Sequence, residues 1–156
     1  MVRPSDKGLL PPDAEARHLA DELMEAKHGA LGTLLNRAPF VTRVALARDG
    51  GAFLTLVSDL APHTEALRRT PQASLLLGEP PAKGDPLAFP RLTLQVDATF
   101  LEKTETSKAQ YLASQPKAQL YIGFADFHLV RLTPSEAHLN GGFGKAYRFT
   151  SGDLKG

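Results

Sequence analysis

"FLTLVSDLAPHTEALRRTPQASLLL", residues 53–77, decides the fold. Residues 53–58 are an apolar run of strand length, 73–77 are another, and between them a polar turn leads into a short helix that stops at Thr70-Pro71. Two buried strands need only a connector, yet this corner gathers Ser58, Asp59, His63 and Thr64 at a helix start. Pro62 suits the first helical turn, where its missing N–H costs nothing. Two uses of the polar cluster follow. Either Ser58 and Asp59 cap the helix, or the free N–H groups of its first turn, with His63 and the Thr64 hydroxyl, cradle an anion such as a phosphate.

Strand signals surround this core unit: "ALGTLL" (30–35), "FVTRVALA" (40–47) and "RLTLQVDATF" (91–100), then "FHLVRLTP" and "AHLNGGFGKAYRF", where a glycine-rich turn separates the last two strands. Asp49-Gly50 marks a tight hairpin between the second and third strands, since glycine accepts positive φ. A helix starts near Pro12-Asp13, with Ala16, Leu19, Ala20, Leu23 and Met24 on one stripe and Gly29 as its stop. "TETSKAQYLASQP" (104–116) reads as a second flanking helix, and "AQLYIGF" (118–124) as either a short helix or an irregular connector. The pattern predicts an α+β fold, an antiparallel β-barrel with flanking helices. Residues 1–11 read as an N-terminal arm and 12–156 as one domain.

Strand faces suggest where a ligand could sit. In "RLTLQVDATF", Leu92, Leu94, Val96, Ala98 and Phe100 share the core face, which leaves Arg91, Gln95 and their neighbours to solvent or a polar ligand. Arg43 lies mid-strand on the face of Val41, Ala45 and Ala47. Its charge must either snorkel outward or meet a carboxylate or phosphate.

The 156 residues carry 18 basic and 17 acidic side chains, 42% hydrophobic residues and no cysteine. That balance gives no electrostatic footprint for nucleic acid or an anionic membrane, and the absence of thiols suits a reducing cytoplasm. No stretch has the roughly 20 apolar residues of a membrane-spanning helix. The five histidines show no paired metal-ligand spacing, and "GGFGKAY" matches no nucleotide loop.

Taken in order, "LGTL" (31–34), "DGGAFLTLVSDLAPHTEAL" (49–67), "PQASLLL" (71–77), "GDPLAFPRLTLQVDA" (84–98), "YLASQPKAQLY" (111–121), "DFHLVRLTP" (126–134) and "GGFGKAY" (141–147) resemble the pyridoxamine 5′-phosphate oxidase-like proteins, and within them the haem-utilisation branch. The resemblance implies a six-stranded antiparallel split β-barrel that binds FMN and forms a homodimer, with cofactor sites shared across the interface and a small-molecule substrate. It places the FMN phosphate on Arg43, Ser58, His63 and Thr64, and the ring and ribityl chain near Thr55, Leu56, Arg91 and Gln95.

Departures from the vitamin-producing oxidases, His63 for a lysine and Asp97 for a glycine, argue against pyridoxine phosphate oxidation. The expected activity is that of an FMN-dependent oxidoreductase of unknown substrate. Haem binding in the same interface pocket is the alternative, with His63 or His138 as ligand. The haem-utilisation proteins extend beyond the "GGFGKAY" strand with a segment that can supply an axial histidine. With the sequence reading only to "SGDLKG" past that strand, the resemblance carries a weaker expectation of haem ligation and haem breakdown.

Overall fold

The computed structural model describes residues 9–142 and 144–154. Most of the expected arm (1–8), Phe143 of the glycine turn and residues 155–156 lie outside the described residues. Helix α1 (Ala14–Leu23) starts where the Asp13 side chain accepts the Ala16 N–H at 2.8 Å, and it buries Ala16 and Ala20. Eight strands follow: β1 (His28–Leu35), β2 (Ala38–Ala45), β3 (Ala47–Asp49), β4 (Ala52–Ser58), β5 (Gln72–Leu77), β6 (Arg91–Leu101), β7 (Phe127–Asn140) and β8 (Ala146–Phe149). Helix α2 (Pro62–Arg69) sits between β4 and β5, α3 (Glu105–Ser114) between β6 and β7, and the short α4 (Ser151–Leu154) follows β8.

Gly29 does not stop α1. The helix ends at Leu23, and Gly29 lies inside β1. The reason is close packing, because a Cβ on Gly29 would meet the Leu76 carbonyl at 2.9 Å. Asp49-Gly50 does turn the β3–β4 hairpin, with Gly50 at φ 61°. Residues 118–124 resolve as a 3-10 turn (Pro116–Leu120) and an irregular connector.

The sheet runs β2-β1-β5-β6-β7-β4-β3, with β8 pairing β7. Its two outer members are consecutive pieces of one chain segment, split only at Leu46, so the sheet curls until its edges are joined by covalent continuity. Counting β2 and β3 as one bent strand gives the six strands of a split barrel, and β8 adds a seventh. Three groups fix the bend: Leu46 N–H donates to the Lys27 carbonyl, Thr55 Oγ1 donates to the Ala45 carbonyl at 2.8 Å, and Gln115 Nε2 donates to both Lys27 and Leu46 carbonyls. Burying that polar backbone is tolerable only because each group is paired.

Inside the barrel, Leu31, Leu46, Phe53, Leu75, Leu94 and Leu132 form the main core. A second cluster of Leu54, Tyr111, Ile122 and Leu129 lies beneath α3 and the connector. β4 is therefore buried on both faces, which explains why "AFLTLVS" reads as a continuous apolar run. Each fully buried leucine contributes about 1.5–3 kcal/mol of transfer free energy. In β6 the predicted alternation holds through Leu92, Leu94 and Val96, which are buried, and relaxes at Ala98 and Phe100. Ser135 bulges out of the β6–β7 ladder, where Val96 faces Pro134 while Gln95 faces Glu136.

Candidate functional site

The corner after β4 holds together mainly through its own backbone. Thr64, 1% exposed, donates its hydroxyl to the Ser58 carbonyl at 2.5 Å, and Ser58 Oγ accepts the Leu60 N–H at 3.1 Å. The N-cap of α2 is Ala61, and no side chain bonds to the first turn. Ser58 and Asp59 are thus not caps, because the chain uses three residues to swing from strand to helix and the serine reaches only Leu60. Asp59 instead accepts from His128 Nε2 at 2.8 Å and from Arg68 at 3.3 Å, and the Arg68 guanidinium lies 5.1 Å from the centroid of Phe100. Burial would raise the Asp59 pKa, but the hydrogen bond and charge of His128, followed by those of Arg68, outweigh it and hold the carboxyl below its ordinary range.

His63 points back from α2 to the barrel wall. Its Nδ1 lies 2.8 Å from Thr42 Oγ1 on β2. Burial pushes the imidazole pKa below its usual value, so the ring is neutral at pH 7. Nε2 has no partner among the described residues.

On the outer sheet face, β2, β1, β5 and β6 lie side by side. One cross-strand row reads Arg43, Ala30, Leu76, Thr93 and the next Val41, Gly32, Ser74, Gln95. Alternation along β2 puts Arg43 on this face and Thr42 on the inner one. Of the four central positions Ala30, Gly32 and Ser74 are small and only Leu76 stands out from them, so the face forms a shallow platform edged by larger side chains. A cleft of about 350 Å³ opens at its upper end, lined by His28, Ala30, Val41, Thr42, Arg43, Leu76 and Glu79 among others. His28 Nε2 and Glu79 Oε2 are 2.5 Å apart across the cleft mouth. The hydrogen bond and charge of His28, and then the charge of Arg43, hold the Glu79 carboxyl below its ordinary pKa. Arg43 is exposed and makes no hydrogen bond or ion pair among the described residues. In the free protein its charge is solvated, the snorkelling solution. Thr42 is the junction, since it lines the cleft and also holds His63.

No protein-family model matches the chain. Among curated proteins it is 34% identical over 101 residues to the chloroplastic heme oxygenase HOZ of Arabidopsis thaliana, covering 64% of this chain and 30% of that protein. It is 28% identical over 122 residues to the heme oxygenase HutZ of Vibrio cholerae, covering 74% and 69%. Among solved structures, a heme binding protein from Mycobacterium smegmatis superposes with a TM-score of 0.80 at 32% identity, covering 94% of this chain and 62% of that one. A pyridoxinephosphate oxidase family protein from Clostridium acetobutylicum shares the fold at 18% identity and a TM-score of 0.72, covering 92% and 99%. The chain has the split β-barrel of the pyridoxamine 5′-phosphate oxidase-like and haem-utilisation proteins. It spans less than a third of the Arabidopsis relative and under two thirds of the mycobacterial one.

In this split-barrel protein the expected site residues fall into three places. Ser58, His63 and Thr64 sit together at the corner, and Arg43 approaches them through its neighbour Thr42 without touching them. Thr55 is buried, its hydroxyl committed to the Ala45 carbonyl, and Leu56 packs half-buried beside the Tyr111 cluster. Tyr111 itself is pushed up to about 12, first by burial. Arg91 donates to the Leu87 and Phe89 carbonyls and pins the turn before β6. Gln95 lines a second opening of about 370 Å³ with Gly32, Phe40 and Ser74.

His138, the other candidate ligand, lies 3.6 Å from Glu136 on β7. Sequence reasoning passed over Thr42, His28 and Glu79. Thr42 was legible in part, because alternation already set it opposite Arg43, but its bond to His63 comes from tertiary packing. Among the described residues no three metal-binding side chains converge, and no helix is long and apolar enough to cross a membrane.

Proposed function

We propose that this split-barrel protein binds haem and acts in haem utilisation, as a homodimer in which the outer platforms of the two subunits enclose the ligand. The observation that carries this reading is that both curated relatives are heme oxygenases, matched along 64% and 74% of this chain. The residues suit such a ligand, a broad apolar ring bearing carboxylates. Ala30, Gly32 and Ser74 leave the platform shallow, Val41 and Leu76 offer exposed apolar contact at 67% and 44% exposure, and Arg43 is available for a carboxylate. Bound haem supplies a redox-active iron, while the protein supplies orientation, a water-poor surface and fixed charge.

A second reading is favoured by one feature, the start of α2, whose N–H groups carry no side-chain cap. There the ligand is FMN, with its phosphate against Ser58, His63, Thr64 and Arg43, and the protein is an oxidoreductase acting on a small molecule.

Visible absorption of the purified protein, titrated separately with haemin and with FMN, tests both. A saturable, sharpened Soret band supports the haem reading. Saturable flavin binding without a Soret response transfers the site to FMN, and a response to neither overturns both. Sedimentation at increasing protein concentration tests the dimer, which predicts twice the 16.8 kDa chain mass.

A further inference from the structure

We propose that His28 and Arg43 form a carboxylate receptor on the outer platform, and that Glu79 occupies it until a carboxylate of the bound ligand takes its place; this rests on the haem reading. The receptor comes from the sheet. His28 pairs with Ala45 and Ala30 with Arg43, so His28 and Arg43 are diagonal neighbours on the outer face of β1 and β2, a spacing that long side chains span. Both line the cleft at the upper end of the platform. His63, bonded to Thr42 on the inner face, lines none of it.

Glu79 enters the receptor from the opposite lip. It lies two residues past the end of β5 at Leu77 and is followed by Pro80 and Pro81, whose rings fix φ and keep the preceding residue extended. The lip that presents it is therefore stiff. Its Oε2 stands 2.5 Å from His28 Nε2, and because an ionised carboxylate only accepts, the imidazole N–H is the donor. The charge of Arg43 acts on the same carboxylate. Side-chain exposures of 50% for His28 and 61% for Glu79 make this a pair that contributes little to stability, so its exchange for a ligand carboxylate leaves the barrel undisturbed. The apolar part of the ligand then rests on Val41 and Leu76, which line the same cleft. A ligand held this way gains only the difference between its own carboxylate and that of Glu79, which keeps its binding reversible.

The test uses the full chain. Haemin and haemin dimethyl ester, whose carboxylates are masked, are titrated into the wild type, Glu79→Ala, His28→Gln and the double variant, with circular dichroism to show that each is folded. Glu105→Gln, which alters a 94% exposed carboxylate on α3 outside the cleft, controls for net charge. Glu79→Ala is expected to bind haemin about fivefold more tightly, the upper end for release of an exposed ion pair, and to bind the ester as the wild type does. Glu105→Gln should leave haemin affinity unchanged. In the His28→Gln background the gain from Glu79→Ala should shrink to within about twofold, because the contact that Glu79 contested is gone.

Unchanged haemin affinity in Glu79→Ala, an equal gain for the ester or an equal gain in Glu105→Gln overturns the role of Glu79 and leaves haem binding standing. A full gain in the absence of the His28 imidazole overturns the shared receptor. Failure of both the wild type and Glu79→Ala to bind haemin overturns the haem reading and this inference with it, and is recognised before any affinities are compared.

Discussion

The strand that closes the barrel carries two arginines, one on each side of its bend, and they live in different worlds. Arg48, in β3, is gripped by Asp21 at 2.6 Å, by Glu25 and by the Gly50 carbonyl, which ties the hairpin to α1. Arg43, in β2, stands over the outer cleft with no such grip among the described residues, and its charge acts on the nearby Glu79 carboxyl. Sequence places both in similar apolar surroundings. What separates them is which neighbour the fold brings up: an acidic helix face for Arg48, an open platform for Arg43. A cation already neutralised by its own chain is structural, and one left to water is available to a ligand.

Several substitutions would break or sharpen that contrast. The largest effect belongs to the bend itself. Leu46→Ala removes a fully buried side chain from the point where the two halves meet, and should cost about 2–5 kcal/mol in a denaturant titration. Arg43→Ala should next lower haemin affinity about tenfold, by removing a charge-assisted contact, while shifting stability by no more than about 0.5 kcal/mol. If the same change instead lowered the melting point with affinity intact, the two arginines would have to exchange roles.

Arg48→Ala should do the reverse, with ligand affinity kept and about 1 kcal/mol of stability lost, as expected of a partly exposed ion-pair network.

The smallest effect concerns pH. The Asp59 carboxyl titrates below its ordinary value in the folded state, so its contribution to stability is present above about pH 4, the usual aspartate range, and disappears as pH falls through the lowered value. Melting temperatures of the wild type and Asp59→Asn should therefore differ near neutrality and converge in acid. A gap that widens on acidification would contradict the His128–Asp59 pairing.

Much of this was legible in the chain. The Asp49-Gly50 turn, the alternation in β6 and the double-faced run of β4 are local signals, because turn chemistry and side-chain period act over a few residues. The bend at Leu46 was not, since nothing in "VALARD" marks where one strand leaves a sheet edge to join the other. Gly29 misled for a related reason. A glycine after a helical stripe signals a stop, but here it answers a carbonyl of β5 that only the folded sheet brings near.

At the candidate site, the corner residues Ser58, His63 and Thr64 could be named from their place at a helix start. Ser58 and Thr64 proved to be engaged with the turn itself, and His63 with a strand threonine. Thr55 entered only through the family resemblance, which sets it near a bound ring or ribityl chain, and a strand threonine's hydroxyl partner is not written in its neighbours. Its actual partner is the Ala45 carbonyl exposed by the bend.

That bend also governs the order in which the molecule can be born. β4 finds its partner in β7, with Phe53 opposite Leu132, so the early strands leave the ribosome long before the surface that will cover them. Closure must wait for nearly the whole chain, and the apolar faces of β1 and β4 stay wet in the meantime. A nascent chain stalled after β5 would be a sticky, unfinished sheet and a natural client for a chaperone.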